Sequence, residues 1–467
     1  SYPSGGRSHI CMASGRDPAD DVFIAMNSHW RVFSSDDTHD HMDSGAIEMS
    51  AYGTRLLVTP GYSASSGTLT EWQNSTLAAS VLIVDRSGNG AFDTVADNQG
   101  YGTGSAGDGP AEQALGDQAG IACGNFGRWY GSDANFTRNI LFVGKTATTA
   151  PYYVVIDDVE MKANKKFAVT WHCRGSLSFN GSKGVWTGIP SDSGGSGPAL
   201  NIATLYPASP SLTTASGKYY PFFGSAGTAF EEDIDYLLQN GTGTGRHHII
   251  SALYPLKSGI NAPAFTAVSG HRAGYVGVTD LFFAKPDPAS TGTITLEGLT
   301  TDAHLGFIRK SGTDRLDGFI AKKARSLNFG GAGFTASADV TIALLDMAGA
   351  IETYAANVTI TINEPRLTLP IAVSIDGETI EATASQGSVA FIVPTAGAHQ
   401  LNILASVSAS PTAVVNATPL IGYSPLQVAF NASGSSDADG TIVSYEWDFN
   451  YNGSTFNSQA TDRKSVV

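Results

Sequence analysis

The chain has 467 residues, enough for two or three domains, and only 15% of them are charged. Its 53 glycines and low charge are typical of a secreted, turn-rich β protein rather than a cytosolic helical enzyme. The net charge of −15 at pH 7 argues against nucleic acid or an anionic membrane as a partner. No apolar run approaches the roughly 18 residues that a membrane span needs.

A short polar stretch near the start of the chain carries the residue types that could do chemistry. His39, His41 and Asp43 alternate, so in a strand their side chains would share one face. Two imidazoles and a carboxylate on one face can bind a metal, and the imidazoles can neutralise a substrate carboxylate. The alternative is the solvated, polar start of an ordinary strand.

A β-hairpin is predicted directly after this stretch. Apolar residues alternate through 45–52, Gly53 supplies a turn, and 54–58 is an apolar return segment. Period-two alternation closed by glycine is typical of a hairpin with one buried face.

The loop after a predicted buried strand at 79–85 resembles the first nine positions of a calcium-binding loop. Glycine at the sixth position would allow the sharp turn. The twelfth position, where a bidentate carboxylate is expected, is Ala96, and Asp97 comes one residue late. The alternative is an Asn-Gly turn in a solvated loop. The candidate calcium ligands are Asp85, Ser87, Asn89 and Asp93.

Most of the remaining chain shows period-two patterns and is predicted to be strand. Two short helices are predicted as exceptions, at 111–116 and at 229–238, where the spacing of apolar residues also fits one helix face. The fold class is therefore all-β, with a large antiparallel β-sandwich over about residues 1–405 and a sub-boundary near 285–292. The predicted strands are 140–143, 152–159, 167–172, 247–253, 275–283, 293–296, 304–308, 338–345 and 358–362.

Several of these segments resemble one known family, the heparinase II/III-like polysaccharide lyases. The resemblance is to their C-terminal β-sandwich domain and covers roughly residues 1–400. It implies a supersandwich of large antiparallel sheets. The residues that carry it are His39-x-His41-x-Asp43-Ser44-Gly45, Tyr52-Gly53-x-Arg55-Leu56-Leu57, Pro60-Gly61-Tyr62, and the segments 152–159 and 169–172.

The resemblance also implies an activity and a role for His39. Lyases of this family remove the proton α to a uronate carboxylate and expel the 4-linked sugar, a carbon–oxygen lyase reaction. His39 matches the sandwich histidine that faces the substrate, where it would neutralise the carboxylate. Arg55 and Tyr62 are candidate substrate contacts. The catalytic tyrosine would come from a helical toroid that this chain does not include.

The family's buried zinc is expected to be absent or altered. His41 matches its first ligand, but the other two ligand positions hold Thr59 and Ala78. A tetrahedral zinc site needs three or four good ligands. Either Asp43 or His172 takes over as a ligand, or the site is metal-free, which is the expectation adopted. The other strand histidines, including His247, His248 and His304, are each expected to be packing or surface residues.

The last part of the chain, 410–467, resembles a polycystic-kidney-disease-type (PKD) domain. Such a domain is a small immunoglobulin-like sandwich that serves as a spacer or glycan-binding appendage. Trp447 would be its core anchor and Asp437–Gly440 a tight turn. The sequence ends before the last strands of such a domain, so the domain is expected to be partial.

Two functions of different class follow. The first is the β-sandwich part of a secreted polysaccharide lyase that cleaves uronate-containing polysaccharide by β-elimination together with a helical toroid. The second is a non-catalytic, glycan-binding or structural protein of the cell surface. The retained histidines favour the first; the lost zinc ligands and the acidity favour the second. Both predict an acidic polysaccharide or other glycan as partner, with self-association as a further option.

Overall fold

A computed structural model of the chain confirms the all-β, antiparallel prediction. It contains 33 described strands, one four-residue α-helix (α1, Gly127–Tyr130) and two 3-10 helices, Trp72–Asn74 and Thr76–Ala78. The structure describes residues 9–15, 20–27, 41–61, 72–99, 109–146, 149–187, 197–220, 232–257, 259–311, 315–407, 411–437, 442, 444–451 and 456–462.

The first four strands form a small sheet, here the hairpin sheet, in the order β1-β2-β3-β4. Along β3 the residues alternate between buried and more exposed positions, as the sequence predicted. Tyr52 and Gly53 turn the chain with φ angles of 53° and 75°, and β3 pairs with β4 on either side of them. The predicted hairpin is confirmed. The strands are β1 His9–Ala13, β2 Val22–Asn27, β3 Ile47–Ala51 and β4 Thr54–Leu57.

Ten strands form the central sheet, and two of them are unusually long. The main order is β10-β11-β12-β14-β9-β8-β7-β6, with β13 added to β14 and β5 added to β9. The strands are β5 Leu82–Val84, β6 Gly109–Leu115, β7 Ala119–Asn125, β8 Ala134–Val143, β9 Tyr152–His172, β10 Ser176–Asn180, β11 Lys183–Thr187, β12 Ala199–Tyr206, β13 Ser211–Tyr219 and β14 Glu232–Leu256.

Fifteen strands form the outer sheet, whose main path is β15-β16-β17-β20-β21-β22-β23-β29-β25-β26. The predicted sub-boundary near 285–292 lies between two strands of this sheet. The strands are β15 Phe265–Ala267, β16 Ala273–Val276, β17 Asp280–Ala284, β18 Ile294–Leu296, β19 Leu299–Thr301, β20 Leu305–Ser311, β21 Arg315–Phe329, β22 Ala332–Leu345, β23 Ala348–Thr353, β24 Val358–Asn363, β25 Leu367–Ile375, β26 Glu378–Ile380, β27 Ala382–Ser385, β28 Ser388–Val393 and β29 Gly397–Val407.

The central sheet is buried on both faces because the other two sheets pack against it. Val155 and Val159 of β9 belong to the core shared with the hairpin sheet. Val154 and Ile156 belong to the core shared with the outer sheet. Successive side chains of a strand point to opposite faces, so the near-continuous apolar run of β9 supplies both cores.

The two predicted helices are wrong. Residues 109–115 form β6, which pairs with β7. The described part of the second segment, from Glu232 onward, is the start of β14, which pairs with β13 on one edge and β9 on the other. Ile234, Tyr236 and Leu238 are all buried there. Their period-two spacing suits a strand, and pairing on both edges satisfies the backbone groups.

The chain beyond residue 410 forms two small two-stranded sheets. They pair β30 Asn416–Thr418 with β31 Ala429–Asn431, and β32 Tyr445–Trp447 with β33 Ala460–Asp462. Trp447 is 8% exposed, and its ring lies 5.9 Å from that of Phe430. Trp447 thus has the buried position expected of a core anchor. The assignment of 410–467 to a PKD-type domain stays a prediction.

Candidate functional site

The polar stretch before β3 is only partly described. His39 and Tyr62 lie outside the described residues. His41 is half-buried and Asp43 is buried. The Asp43 carboxylate accepts a hydrogen bond of 2.8 Å from Asn27 Nδ2, and its backbone carbonyl accepts one from the Ala46 amide. Asp43 therefore fixes the start of β3 against the end of β2.

A fully buried arginine holds this stretch onto the central sheet. Arg138 Nη1 donates to the carbonyl oxygens of Gly45, at 2.8 Å, and Ser80, at 2.7 Å. Its Nε and Nη2 donate to the two carboxylate oxygens of Asp157 at 2.8 and 2.9 Å. Gly45 has a φ of 90°, and a Cβ there would lie 3.0 Å from the Phe126 ring. The residue must stay small so that the backbone can come this close to the sheet.

Gln99 fixes the residue after Asp43 from the other side. The Ser44 amide donates to Gln99 Oε1 at 3.0 Å, and Gln99 Nε2 donates to the Ser44 carbonyl at 2.8 Å. Gln99 Nε2 also donates to Tyr130 Oη, whose hydroxyl donates to the Leu82 carbonyl. Burial raises the pKa of Tyr130, so its hydroxyl stays protonated as a donor. The 43–45 backbone is thus preorganised by buried side chains.

The segment 72–78, which contains the two 3-10 helices, joins the same stretch to His172. The Met42 amide donates to the Asn74 carbonyl, and the Thr76 hydroxyl donates to the Met42 carbonyl. The Trp72 ring lies 6.1 Å from the His172 ring. Met42, the residue after His41, and His172 therefore contact the same short segment.

His172 is a fully buried, neutral histidine. Its ring stacks on Tyr236 with 4.5 Å between centroids. Burial lowers the pKa of His172 to about 3, although contact with the Leu77 backbone acts the other way. Neither ring nitrogen has a well-formed hydrogen bond among the described residues. The aromatic stack accounts for its position without a metal.

The described residues do not assemble a zinc site. Thr59 donates its hydroxyl to Glu48 at 3.0 Å, and Ala78 is fully buried within a 3-10 helix. No group of three or more His, Cys, Asp or Glu side chains is placed to hold a metal among the residues that the structure describes. His41 and Asp43 do not by themselves fit zinc.

The predicted calcium loop is held by its own backbone. The Asp85 carboxylate accepts hydrogen bonds from the amides of Gly88, Asn89 and Gly90. The late carboxylate, Asp97, accepts from the amides of Arg86, Ser87 and Asp93. Burial, the largest single effect, raises the pKa of Asp85, but its hydrogen bonds from the Ser87 hydroxyl and the three amides together lower it below its ordinary value. The loop therefore uses its carboxylates as turn anchors, and calcium binding by them stays a prediction.

Arg55 belongs to a cluster that the sequence did not reveal. Its exposed guanidinium donates to Tyr219 Oη at 3.3 Å. Arg174 lies over the Tyr219 ring, 5.2 Å from its centroid, and pairs with Glu232 at 2.9 Å. Two cations and a tyrosine hydroxyl thus lie together at the return end of the hairpin. An arginine in a strongly acidic chain was a signal that the sequence offered for this cluster. It could not identify the residues that contact Arg55, because they come from distant strands.

Sequence reasoning also missed Arg138 and Asp157, which position the whole stretch. Both stand out in the sequence as charged residues inside apolar runs, NFTRNILFV and YYVVIDDVE. Charged residues are almost never fully buried unless they are paired. That rule could have flagged them as a pair, although it could not say which backbone groups the arginine holds.

Comparison with known proteins finds a similarity to one family over part of the chain. Residues 22–231 match the family model described as Heparinase II/III-like, C-terminal. The match covers 210 of the 467 residues, so it shows a similarity to that family over part of the chain. The matched residues include the His39–Asp43 stretch, the hairpin and most of the central sheet. No curated protein sequence matches the chain, and no described helix could span a membrane, since the longest has four residues.

Solved structures with a similar fold include heparinases. A heparan sulfate lyase, HepC from Pedobacter heparinus, has a TM-score of 0.45 and 16% identity over 67% of this chain and 41% of its own. A heparinase III gene product has a TM-score of 0.47 and 13% identity over 66% of this chain and 41% of its own. The chain therefore spans about two-fifths of the length of these structures.

Proposed function

We propose that this chain is the β-sandwich part of a secreted polysaccharide lyase that cleaves uronate-containing polysaccharide by β-elimination. The observation that carries the proposal is the heparinase II/III-like match over residues 22–231, which spans His39, His41 and Asp43. The buried bonds of Asp43, Ser44 and Gly45 support it, because they hold the backbone beside the two histidines in a fixed position.

In the proposed reaction, His39 lowers the cost of forming a carbanion. The proton α to a uronate carboxylate is weakly acidic until the carboxylate charge is neutralised. His39 would donate to that carboxylate, and Arg55 and Tyr62 would contact the same sugar. A tyrosine of a helical toroid would take the proton and pass it to the leaving oxygen. That toroid would belong to the same precursor or to another chain.

The test is the ultraviolet absorbance of the unsaturated uronate that β-elimination creates. This chain alone is expected to give no product from alginate, heparin, hyaluronan or ulvan. Co-expression with the helical toroid, from the same precursor or from another chain, is expected to restore the product. In the restored protein, His39→Ala should lower kcat about a hundredfold or more, the scale of losing one preorganised donor. His271→Ala, an exposed histidine of the outer sheet, is the matched control.

A second candidate function is a non-catalytic glycan-binding or structural protein of the cell surface. Thr59 and Ala78 at the family's ligand positions favour it. A PKD-type segment at 410–467 would then serve as a spacer. If the restored protein binds these polysaccharides but forms no unsaturated product from any of them, this second function replaces the first.

A further inference from the structure

A polar cavity lies between the central and outer sheets. Across the central sheet, Thr137 of β8 and His248 of β14 are both paired with Asp158 of β9. This polar row borders the apolar core that the two sheets share. With Lys322 and Lys323 of β21 it lines a cavity of about 200 Å³, here called the interlayer cavity.

Cations outnumber carboxylates in the interlayer cavity, although the chain as a whole carries a net charge of −15. Arg246, Lys322 and Lys323 line it together with only two carboxylates, Glu112 and Asp158. Both carboxylates are already engaged: Arg246 pairs with Asp158, and Glu112 pairs with Lys323 and, at 3.3 Å, with Lys322. The lining therefore has one more cation than carboxylate, although Arg246 also pairs with Glu160, which is not part of the lining, at 3.6 Å.

The basic region continues past the cavity. Arg272 contacts His248 Nδ1, and it lines a second cavity of about 190 Å³ together with Arg246 and His248. Arg246 and His248 thus stand between two adjoining cavities. Arg246 is 30% exposed and Lys323 is 37% exposed, so both can reach a ligand from solvent.

The pKa values of His248 and His304 are lowered in part by the same nearby cations. Burial lowers the pKa of His248 to about 3, with added effects of Arg272 and Arg246. Burial also lowers the pKa of His304, and Lys322 and Lys323 add to it. Among the described residues, Asp158 Oδ1 accepts no hydrogen bond, and His248 Nε2 lies 3.8 Å from it.

An oxyanion fits this chemistry. A guanidinium matches the two oxygens of a carboxylate or sulfate, and an ammonium adds a point charge. Small-molecule sites usually have about 300–1,000 Å³, so the interlayer cavity suits one charged group rather than a whole ligand. It lies on the face of the central sheet opposite the hairpin sheet, because Asp158 points away from its neighbour Asp157.

We propose that the interlayer cavity binds a sulfate or carboxylate group of an acidic glycan, at a site separate from the His39–Asp43 stretch. The choice of a glycan as the carrier rests on the proposed function. The site would hold a polysaccharide on a second surface of the domain, away from the bond that is cleaved.

Isothermal titration calorimetry of the full chain tests the proposal with three probes. They are a heparin-derived hexasaccharide, an oligogalacturonate that carries carboxylates only, and inorganic sulfate. Arg246→Gln and Lys323→Gln should each weaken binding of at least one oligosaccharide about tenfold, the scale of one charged hydrogen bond. The control is Arg325→Gln, an exposed arginine of the outer sheet paired with Asp339, which should bind as the unmodified protein does.

Each outcome decides the proposal. If the two variants lose affinity for the hexasaccharide alone, the group that is bound is sulfate. If they lose affinity for both oligosaccharides, the group is carboxylate. Unchanged oligosaccharide affinity in both variants, or binding of inorganic sulfate alone, overturns it. Failure of the lyase proposal would look different: no unsaturated product would form, while Arg246→Gln and Lys323→Gln would still bind the oligosaccharide more weakly.

Discussion

Two consecutive aspartates on β9 face opposite layers and have opposite surroundings. Asp157 points toward the hairpin sheet, is fully buried, and receives two hydrogen bonds from the equally buried Arg138. Asp158 points toward the outer sheet and the interlayer cavity, where Arg246 reaches one oxygen and the other accepts no hydrogen bond among the described residues. Burial raises the pKa of Asp158, with Arg246 opposing the effect.

The difference separates a charge that builds the fold from a charge that lines a site. A buried ion pair with every donor used holds its neighbours in one arrangement, here the Gly45 and Ser80 carbonyls beside the candidate catalytic stretch. A charge that is only partly paired beside a cavity costs stability. The same strand thus supplies a structural face and a face suited to binding.

The largest expected effect comes from breaking the structural pair. Arg138→Met should lower the free energy of unfolding by about 3–5 kcal/mol, because it leaves Asp157 buried without its partner. Adding Asp157→Leu should recover much of that loss, since neither charge is then buried alone. Urea unfolding of the single and double variants measures both changes.

The control for this prediction is Lys218→Met, which removes an exposed ion pair with Asp233. Its unfolding free energy should stay close to that of the unmodified chain. If Arg138→Met costs no more than this control, the pair does not hold the fold as described.

His172 adds a third case to the comparison of Asp157 and Asp158. It is buried and neutral, whereas Asp157 is buried and paired. Its imidazole stays unprotonated in the folded chain down to about pH 3, whereas an unfolded chain protonates histidine below about pH 6.5. Its contribution to stability is therefore complete above about pH 6.5 and falls as the pH drops toward 3, by up to about 1.4 kcal/mol per pH unit.

His172→Phe should flatten this acid dependence while keeping the stack on Tyr236. Unfolding free energies between pH 7 and pH 4 measure the slope, with the exposed His271→Gln as control. Equal slopes in His172→Phe and the unmodified protein would show that His172 is not buried neutral.

Removal of metal is expected to have the smallest effect on stability. Purified protein should contain less than one zinc per chain by mass spectrometry, and a chelator should leave its melting temperature unchanged. Stoichiometric zinc would mean that the ligand positions were carried over incorrectly, or that Asp43 or His172 has taken over as a ligand. A calcium-dependent rise in melting temperature that Asp85→Asn abolishes would establish the calcium loop instead.

Local patterns predicted the fold better than the site. The hairpin was predictable because Gly53 and the alternation around it lie within a dozen residues. The strand in the segment that begins near residue 229 was not predictable, since Ile234 and Leu238 fit one face of a helix as well as one face of a strand. Pairing with β13 and β9 decided for the strand, and such pairing is set by distant residues.

The site depended still more on distant contacts. The motif at His39–Asp43 was visible in the sequence, but the arginine that holds Gly45 lies 93 residues further along the chain. The histidines expected only to pack or face solvent gave no hint that His248 and His304 would border one cavity. His248 lies on β14 of the central sheet and His304 directly precedes β20 of the outer sheet, so their proximity follows only from the layering.

The central claim is that one face of the central sheet carries a structural charge and the other face a charge that lines a cavity. The unfolding free energies of Asp157→Asn and Asp158→Asn, measured side by side, test this claim most directly. The two changes are chemically identical and one residue apart. Asp157→Asn should lower the unfolding free energy by about 3–5 kcal/mol, because it leaves the buried Arg138 without its carboxylate partner. Asp158→Asn should cost less than about 1.5 kcal/mol, since burial already disfavours its charge. Equal losses, or a larger loss for Asp158→Asn, would contradict the account.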